Sequence, residues 1–285
     1  MKVDKFRTVI IYIIIILLGL VCLLPLLNIV AISFSSSAAV EGNMVGLIPV
    51  GFSTAAYEKI LEDSQFWHSF LISVERVVLT LIINFVLIVL MAYPLSKTNA
   101  QFRGRNIYAN LMIFAMLFNG GMIPTFLLVK SYGLLNTVWA LVLPGAVPIF
   151  NVILVMNFFA AVPKELEEAA FIDGANPLQV LTKIFIPISK PVLATVSLFS
   201  IVGSWNDFYS GLIYMSKAAY YPLMTYIQSL QINVEDLIKQ GNLSAVVDSA
   251  SLGNTNLNAA KIVVAVIPLL QRYFVSGIVV GSVKG

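Results

Sequence analysis

Proton, metal and covalent chemistry need groups that this 285-residue chain hardly carries. Cys22 is the only cysteine and lies inside an apolar run, so no disulfide framework or CxxC site exists. His68 is the only histidine and cannot build a zinc site alone. No GxxxxGK(S/T), HExxH or GxSxG pattern occurs. What stands out instead is charge inside apolar runs: Glu75, Arg76 and Asp207. A charged side chain at the centre of a membrane helix costs about 2.5–3.5 kcal/mol on insertion scales, so such groups face cavities or partners. Glu75 and Arg76 are neighbours and point about 100° apart on a helix; a second subunit is the candidate partner. Asp207 follows Trp205 and Asn206. An indole face stacks on a ring while an amide and a carboxylate bond hydroxyls, a lining suited to a neutral, hydroxyl-rich solute. The other reading of the same trio is a helix cap or interhelical bond. Asn84, Asn119, Asn151 and Asn157 are polar points suited to interhelical hydrogen bonds.

The elements that position these groups are apolar and long. The chain is 59% hydrophobic and 11% charged, with mean hydropathy +0.92. Soluble domains carry about 25% charged residues, so an ordinary globule and charge-rich disorder are both excluded. Apolar runs over about 9–32, 69–95, 107–129, 138–161, 191–215 and 259–280 predict six spans in one all-α membrane domain, 1–285. The first follows Lys2, Lys5 and Arg7 like a signal peptide. Its 24 residues would reach about 36 Å, far beyond an h-region, and predict an uncleaved span. Prolines 25, 94, 124, 144, 148 and 268 predict kinks. Of 17 basic residues, eleven fall in the N-terminus, the 96–106 and 162–190 loops and the C-terminal end; five fall on the opposite side. The positive-inside rule then puts both termini in the cytoplasm and segments 34–68 and 216–258 outside. Trp67, Trp139 and Tyr221 fall near the outer edges as an aromatic belt. A net charge of +3 without a basic tract excludes a nucleic-acid partner.

Between spans four and five runs the sequence from Pro163 to Lys190. Pro163 opens a helix, and Glu165, Glu167 and Glu168 suit its positive end. Gly174 can take a left-handed C-cap. Asn176 is a good N-cap with Pro177 at the first position of a second helix, which Pro187 stops. The prediction is two short helices joined by a glycine elbow. Leu166, Ala169 and Ala170 give the first a narrow apolar strip. From these residues alone the elbow is either a knob for a partner or an amphipathic hairpin on the membrane.

Glu168-Ala169-Ala170, three residues, Gly174, nine residues and Ile184-Phe185-Ile186-Pro187 resemble the EAA loop of ATP-binding-cassette importer permeases. Ile186 stands where leucine is usual, a volume-conserving change. The resemblance covers nearly the whole chain and is strongest to carbohydrate permeases of the maltose and complex-oligosaccharide type. Lys164 to Pro187, Trp205 to Phe208, and Gln271-Arg272-Tyr273-Phe274 through Gly285 carry it. Pro268 is followed by only Leu269 and Leu270 before Gln271, a shorter stretch than in related permeases, which leaves the ends of span six open. The resemblance implies a type I importer fold with a cytoplasmic coupling helix. Glu168, Ala169, Ala170, Asp173, Gly174 and Pro187 would couple to ATPase subunits. Trp205, Asn206 and Asp207 are candidates for the solute path. Val283, Lys284 and Gly285 are either a tail between ATPases or a frayed end. It further implies a second six-span permease, two ATPase subunits holding ATP and magnesium, an extracytoplasmic sugar-binding protein, an oligosaccharide substrate and a prokaryotic plasma membrane. The chain itself would bind no cofactor and catalyse nothing. Segment 216–258 would meet the binding protein or pack as a lid.

A self-contained ion- or proton-coupled carrier is the rival class. It predicts internal repeats and a set of buried carboxylates. No convincing repeat relates the two halves, and buried acid is nearly limited to Glu75 and Asp207. A membrane enzyme has no constellation in its favour.

Overall fold

The structure is a computed structural model that describes residues 2–118, 120–230 and 256–265, with side chains from residue 7 onward. The described residues are helices and connecting turns, without strands. In chain order the helices are α1 (Lys2–Ser33), α2 (Ser37–Glu41), α3 (Ala55–Glu62), α4 (Ser64–Leu95), α5 (Arg105–Leu117), α6 (Met122–Ser131) and α7 (Val138–Val142). There follow α8 (Ile149–Ala160), α9 (Lys164–Ile172), α10 (Pro177–Val180), α11 (Ile186–Ile188), α12 (Lys190–Asn206) and α13 (Tyr209–Tyr214). Residues 223–230 and 256–265 form α14 and α15. Contacts divide the chain into two compact units, residues 68–225 and residues 1–67 with 226–285.

The 68–225 unit is built on α4, α8 and α12. One face of α4 changes character along its length. Ser69, Ser73, Arg76, Thr80 and Asn84 recur at spacings of three and four and are all buried. The same face continues as Ile88, Ala92 and Leu95. The apolar half packs with Val152, Val155 and Phe159 of α8 and Val192, Leu193 and Val196 of α12 into the main core. A smaller cluster joins Val129 of α6, Ala140 and Leu141 of α7, and Tyr214 with Met215.

In the other unit, residues 7–27 of α1 are exposed on every side within the chain. An evenly apolar helix with no face of its own suits lipid or a partner subunit. Its end is fastened instead. Phe34 stacks on Phe52 and on Tyr57, whose hydroxyl lies 2.8 Å from Ser33 Oγ. Gly51 has φ +63, and a Cβ there would fall 2.8 Å from Ser36 Oγ. Only glycine fits both demands. Asp63 gathers three elements: Lys261 Nζ of α15 lies 2.6 Å from Oδ2, Tyr226 of α14 donates to the same oxygen at 2.9 Å, and the Phe66 N–H bonds Oδ1 at the start of α4. Burial pushes the Asp63 carboxyl up, but those bonds and the Lys261 charge outweigh it and hold it below the usual carboxylate value. Burial, with the Asp63 bond and charge, pushes the Tyr226 hydroxyl well above its ordinary value.

Among the described residues two unbroken helices are long and apolar enough to cross a bilayer, Arg7–Ser33 and Ser64–Leu95. Three bent pairs raise the number to five if each is one span. The runs 107–129, 138–161 and 191–215 each contain a helix break, and the one in 138–161 falls where Pro144 and Pro148 predict a kink. Gly121, at φ +92, starts α6 afresh after α5 has ended at Leu117. The 3-10 turn Leu143–Gly145 and Pro148, whose ring removes a backbone donor, bend α7 from α8 by 48°. At Asp207 the backbone turns extended and ends α12, and the chain resumes as α13. Pro25 and Pro94, by contrast, lie within continuous helices. Span six, 259–280, is described only as far as residue 265.

Candidate functional site

The elbow forms as its residues dictate. Glu165 and Glu167 sit in the first turn of α9. Its end is a Schellman turn: the Ala175 N–H returns to Ala170 O at 2.9 Å and the Gly174 N–H to Phe171 O at 3.1 Å, with Gly174 at φ +82. Asn176 and Gln179 then close a reciprocal capping box, both bonds 2.9 Å, and Pro177 opens α10. The helix continues through a π turn, Leu181–Phe185, past Pro187 to Ile188, then bends by 84° into α12. Pro187 thus lies one residue inside the helix end rather than at it.

The two faces of α9 differ. Glu168, Ala169, Asp173 and Gly174 are exposed, as is Pro187; Ala170 is half-buried against the core. Leu166 and Phe171 are exposed by nearly half and Ile172 by 85%, so an uncovered apolar knob projects here. Glu167 points the other way and is buried. Its Oε2 lies 2.8 Å from Lys97 Nζ, from the loop after α4. That ammonium also sits 4.1 Å from the ring centroids of both Tyr93 and Phe185. Burial lowers the Lys97 pKa, against the opposing bond and charge of Glu167. Sequence reading missed this pair; the nearest signal was a basic loop and an acid-rich elbow expected on the same side.

The second locus is the polar half of α4. Arg76 Nη1 donates to the Asp207 carbonyl at 2.8 Å and Nη2 to its Oδ2 at 2.5 Å. Asp207 Oδ1 accepts from the Ser210 N–H at 3.1 Å. Asp207 is therefore both a helix junction and the partner of Arg76, which corrects the expectation that Arg76 meets a second subunit. Asn84 Nδ2 donates to Ser200 Oγ at 3.2 Å, an interhelical bond of the expected kind. Beside these groups lies a cavity of about 260 Å³, bordered by Arg76, Thr80, Asn84, Asn151, Ser204 and Asp207 among others. Arg76 Nε, Thr80 Oγ1 and Asn84 Oδ1 are buried without a hydrogen-bond partner among the described residues.

Trp205 and Asn206 do not border that cavity. Trp205 meets Phe70 edge-on at 5.8 Å, and Asn206 is exposed. Glu75 and His68 line a separate cavity of about 300 Å³ with Asn136 and Tyr220. Asn119, Arg272 and the tail Val283, Lys284 and Gly285 lie outside the described residues. Among the described residues no group of three or more His, Cys, Asp or Glu is placed to hold a metal.

Helices long and apolar enough to cross a bilayer thus carry a helix–glycine–helix elbow at the C-terminal end of α4 and a polar seam along its first half. Residues 2–280 match the family described as "Binding-protein-dependent transport system inner membrane component". The chain is 39% identical to "Protein LplC" of Bacillus subtilis (strain 168) over 94% of this chain and 91% of that one. It is 38% identical to the "Polygalacturonan/rhamnogalacturonan transport system permease protein YtcP" of the same organism, over 99% of each. Its structure matches a chain of a "bacterial ABC transporter involved in the import of the acidic polysaccharide alginate" with TM-score 0.85 and 32% identity, covering 97% of each. The chain belongs to the inner-membrane components of binding-protein-dependent transport systems, the permease subunits of ATP-binding-cassette importers, and is not an enzyme.

Proposed function

We propose that the chain is one of two membrane-spanning subunits of an ATP-driven oligosaccharide importer, a single domain of six spans with both termini in the cytoplasm. Two separate ATPase subunits hold ATP and magnesium, and an external binding protein delivers the sugar. The substrate class is supported by relatives named for polygalacturonan, alginate and arabinooligosaccharides. The first two are polymers of uronic acids, so acidic oligosaccharides lead.

The observation that carries the reading is the outward knob on α9. Leu166 and Ile172 lie open beside Glu168, Ala169 and Asp173, on a helix whose end is fixed by Gly174. A short helix with exposed apolar side chains, fixed at its end by the Gly174 turn and on its inner face by Glu167, suits docking in a cleft. Closure of the ATPases would push the elbow, and the bend after Pro187 would pass the motion into α12. The solute would cross beside α4 and α12, where unpartnered buried donors and acceptors can bond passing hydroxyls. Asp207 borders that path, Trp205 and Asn206 flank it in sequence, and the tail residues Val283, Lys284 and Gly285 would reach between the ATPases.

Gly174→Val tests the coupling. A Cβ at Gly174 meets nothing within 4 Å, so the penalty comes from φ alone. That conformation costs an L-residue about 1–2 kcal/mol, more with β-branching. The expected result is normal membrane insertion with uptake and sugar-stimulated ATP hydrolysis no longer linked. Full retention of both would remove Gly174 from the mechanism.

The carrier reading loses ground twice. The family is binding-protein-dependent. Of the two acids inside the apolar runs, Asp207 is engaged with Arg76 rather than free to carry a coupling proton.

A further inference from the structure

Glu167 and Glu168 are consecutive, yet α9 sends one inward and the other outward. The inward one ends in a closed arrangement. Lys97 Nζ sits 2.8 Å from Glu167 Oε2 and 4.1 Å from two aromatic centroids, and both ionic side chains are only about a tenth exposed. The four groups come from separate places: Tyr93 near the end of α4, Lys97 two residues beyond it, Glu167 on α9, and Phe185 on the π turn that leads to α12. Phe185 is itself edge-on to Tyr93 at 5.1 Å and to Phe159 of α8 at 5.4 Å. One ammonium therefore ties α9, α4 and the segment entering α12, with α8 against the same ring.

We propose that Lys97 is the positioning residue of the coupling step, a cationic pin that makes α9 move as one body with α4 and the π-turn segment. This rests on the reading that the outer face of α9 meets the ATPases. The geometry supplies what a pin requires. A flexible surface ion pair is worth little because its side chains are free and its field is screened. Here burial removes the screening, and the two ring faces hold the cation from the sides that Glu167 leaves open. Tyr93 and Phe185 also set the sign: their faces are electronegative and accept a cation, so reversing the pair would not rebuild it. Arginine keeps the charge and stacks on aromatic faces, so Lys97→Arg is the conservative exchange. Lys97→Met keeps the stem and removes the charge.

The test uses the whole complex, both permease subunits with their ATPases, in proteoliposomes with the external binding protein and a labelled oligogalacturonate as the sugar. Three readings are taken for each variant: ATPase subunits recovered with the permease, sugar taken up, and ATP hydrolysed per sugar transported. Lys97→Met and Glu167→Gln are expected to recover the ATPases normally while the ATP-to-sugar ratio rises about fivefold or more, a coupling loss of ordinary size. Lys97→Arg should stay near the parent ratio. A merely weakened fold lowers uptake and hydrolysis together and leaves the ratio alone. An unchanged ratio in Lys97→Met, or a Lys97→Arg variant as uncoupled as Lys97→Met, overturns the pin. The underlying reading fails separately: Ile172→Asp, on the outer face, must reduce recovery of the ATPases, and undiminished recovery would mean that they do not dock there.

Discussion

Arg76 shows how much one buried charge can organise. Its side chain is 4% exposed and that of Asp207 29%, and the guanidinium spans both the carboxylate and the carbonyl at the end of α12. Removing one partner of a buried pair costs about 3–5 kcal/mol because the other charge is left without compensation. The partial exposure of Asp207 puts Asp207→Asn at the lower end, about 3 kcal/mol, and Arg76→Met leaves a carboxylate that water still reaches in part. In thermal melts of the purified protein each single change should lower the midpoint. The double change Arg76→Met with Asp207→Leu should cost less than the sum of the two. Uptake separates this structural role from a solute role. If Asp207 also guides sugar, Asp207→Asn raises the KM for uptake per correctly inserted molecule. If it acts only as junction and counter-ion, abundance falls while KM stays fixed.

At the scale of elements a pH signal comes from Asp63, where α14, α15 and the start of α4 converge. Its carboxyl titrates below its unfolded value, so the folded chain binds fewer protons than the unfolded chain in mild acid. The stabilisation is complete above about pH 4, the unfolded carboxylate range, and is lost as pH falls through the lowered folded value. Protonation there also leaves the buried ammonium of Lys261 without its counter-charge. Melting midpoints measured from about pH 7 down to about pH 3 should therefore fall at the acid end, and Asp63→Asn should shrink that fall while lowering the midpoint at neutral pH. The elements themselves were unequally legible. Gly174, Asn176 and Pro177 act on their immediate neighbours, so the elbow could be read residue by residue before any fold was known. The breaks inside three spans were partly legible: proline at 144 and 148 announced a kink, whereas Gly121 gave no hydropathy signal and passed as part of an apolar run. The pairs Arg76 with Asp207 and Lys97 with Glu167 were illegible, because they join residues 131 and 70 positions apart and no local spacing encodes such a meeting. The polar stripe on α4 stands at spacings of three and four, but the long apolar runs around it mask the single face those residues share.

For the whole molecule, sidedness decides whether the parts can work together, because an elbow on the wrong side of the bilayer can meet no ATPase. The basic residues favour the N-terminus, the 96–106 and 162–190 loops and the C-terminal end by eleven to five, and the positive-inside rule converts that bias into orientation. The prediction is that position 172 faces the cytoplasm and position 52 the exterior. Both are open to a reagent, with Ile172 85% and Phe52 72% exposed. Cys22 is the only native thiol, so Cys22→Ser supplies a background in which Ile172→Cys and Phe52→Cys are read one at a time. With a membrane-impermeant maleimide, Phe52→Cys should label in intact spheroplasts and Ile172→Cys only in inside-out vesicles. The reverse pattern would invert the topology and leave α9 facing the external medium, where its apolar knob would have no ATPase to meet. Protection of Ile172→Cys in inside-out vesicles when the ATPase subunits are present, and its return when they are stripped away, would join the topology to the docking surface in one experiment. Labelling that ignores the ATPases would leave the orientation intact but move their contact elsewhere on that face, away from the side of α9 that Glu168, Ala169 and Ile172 share.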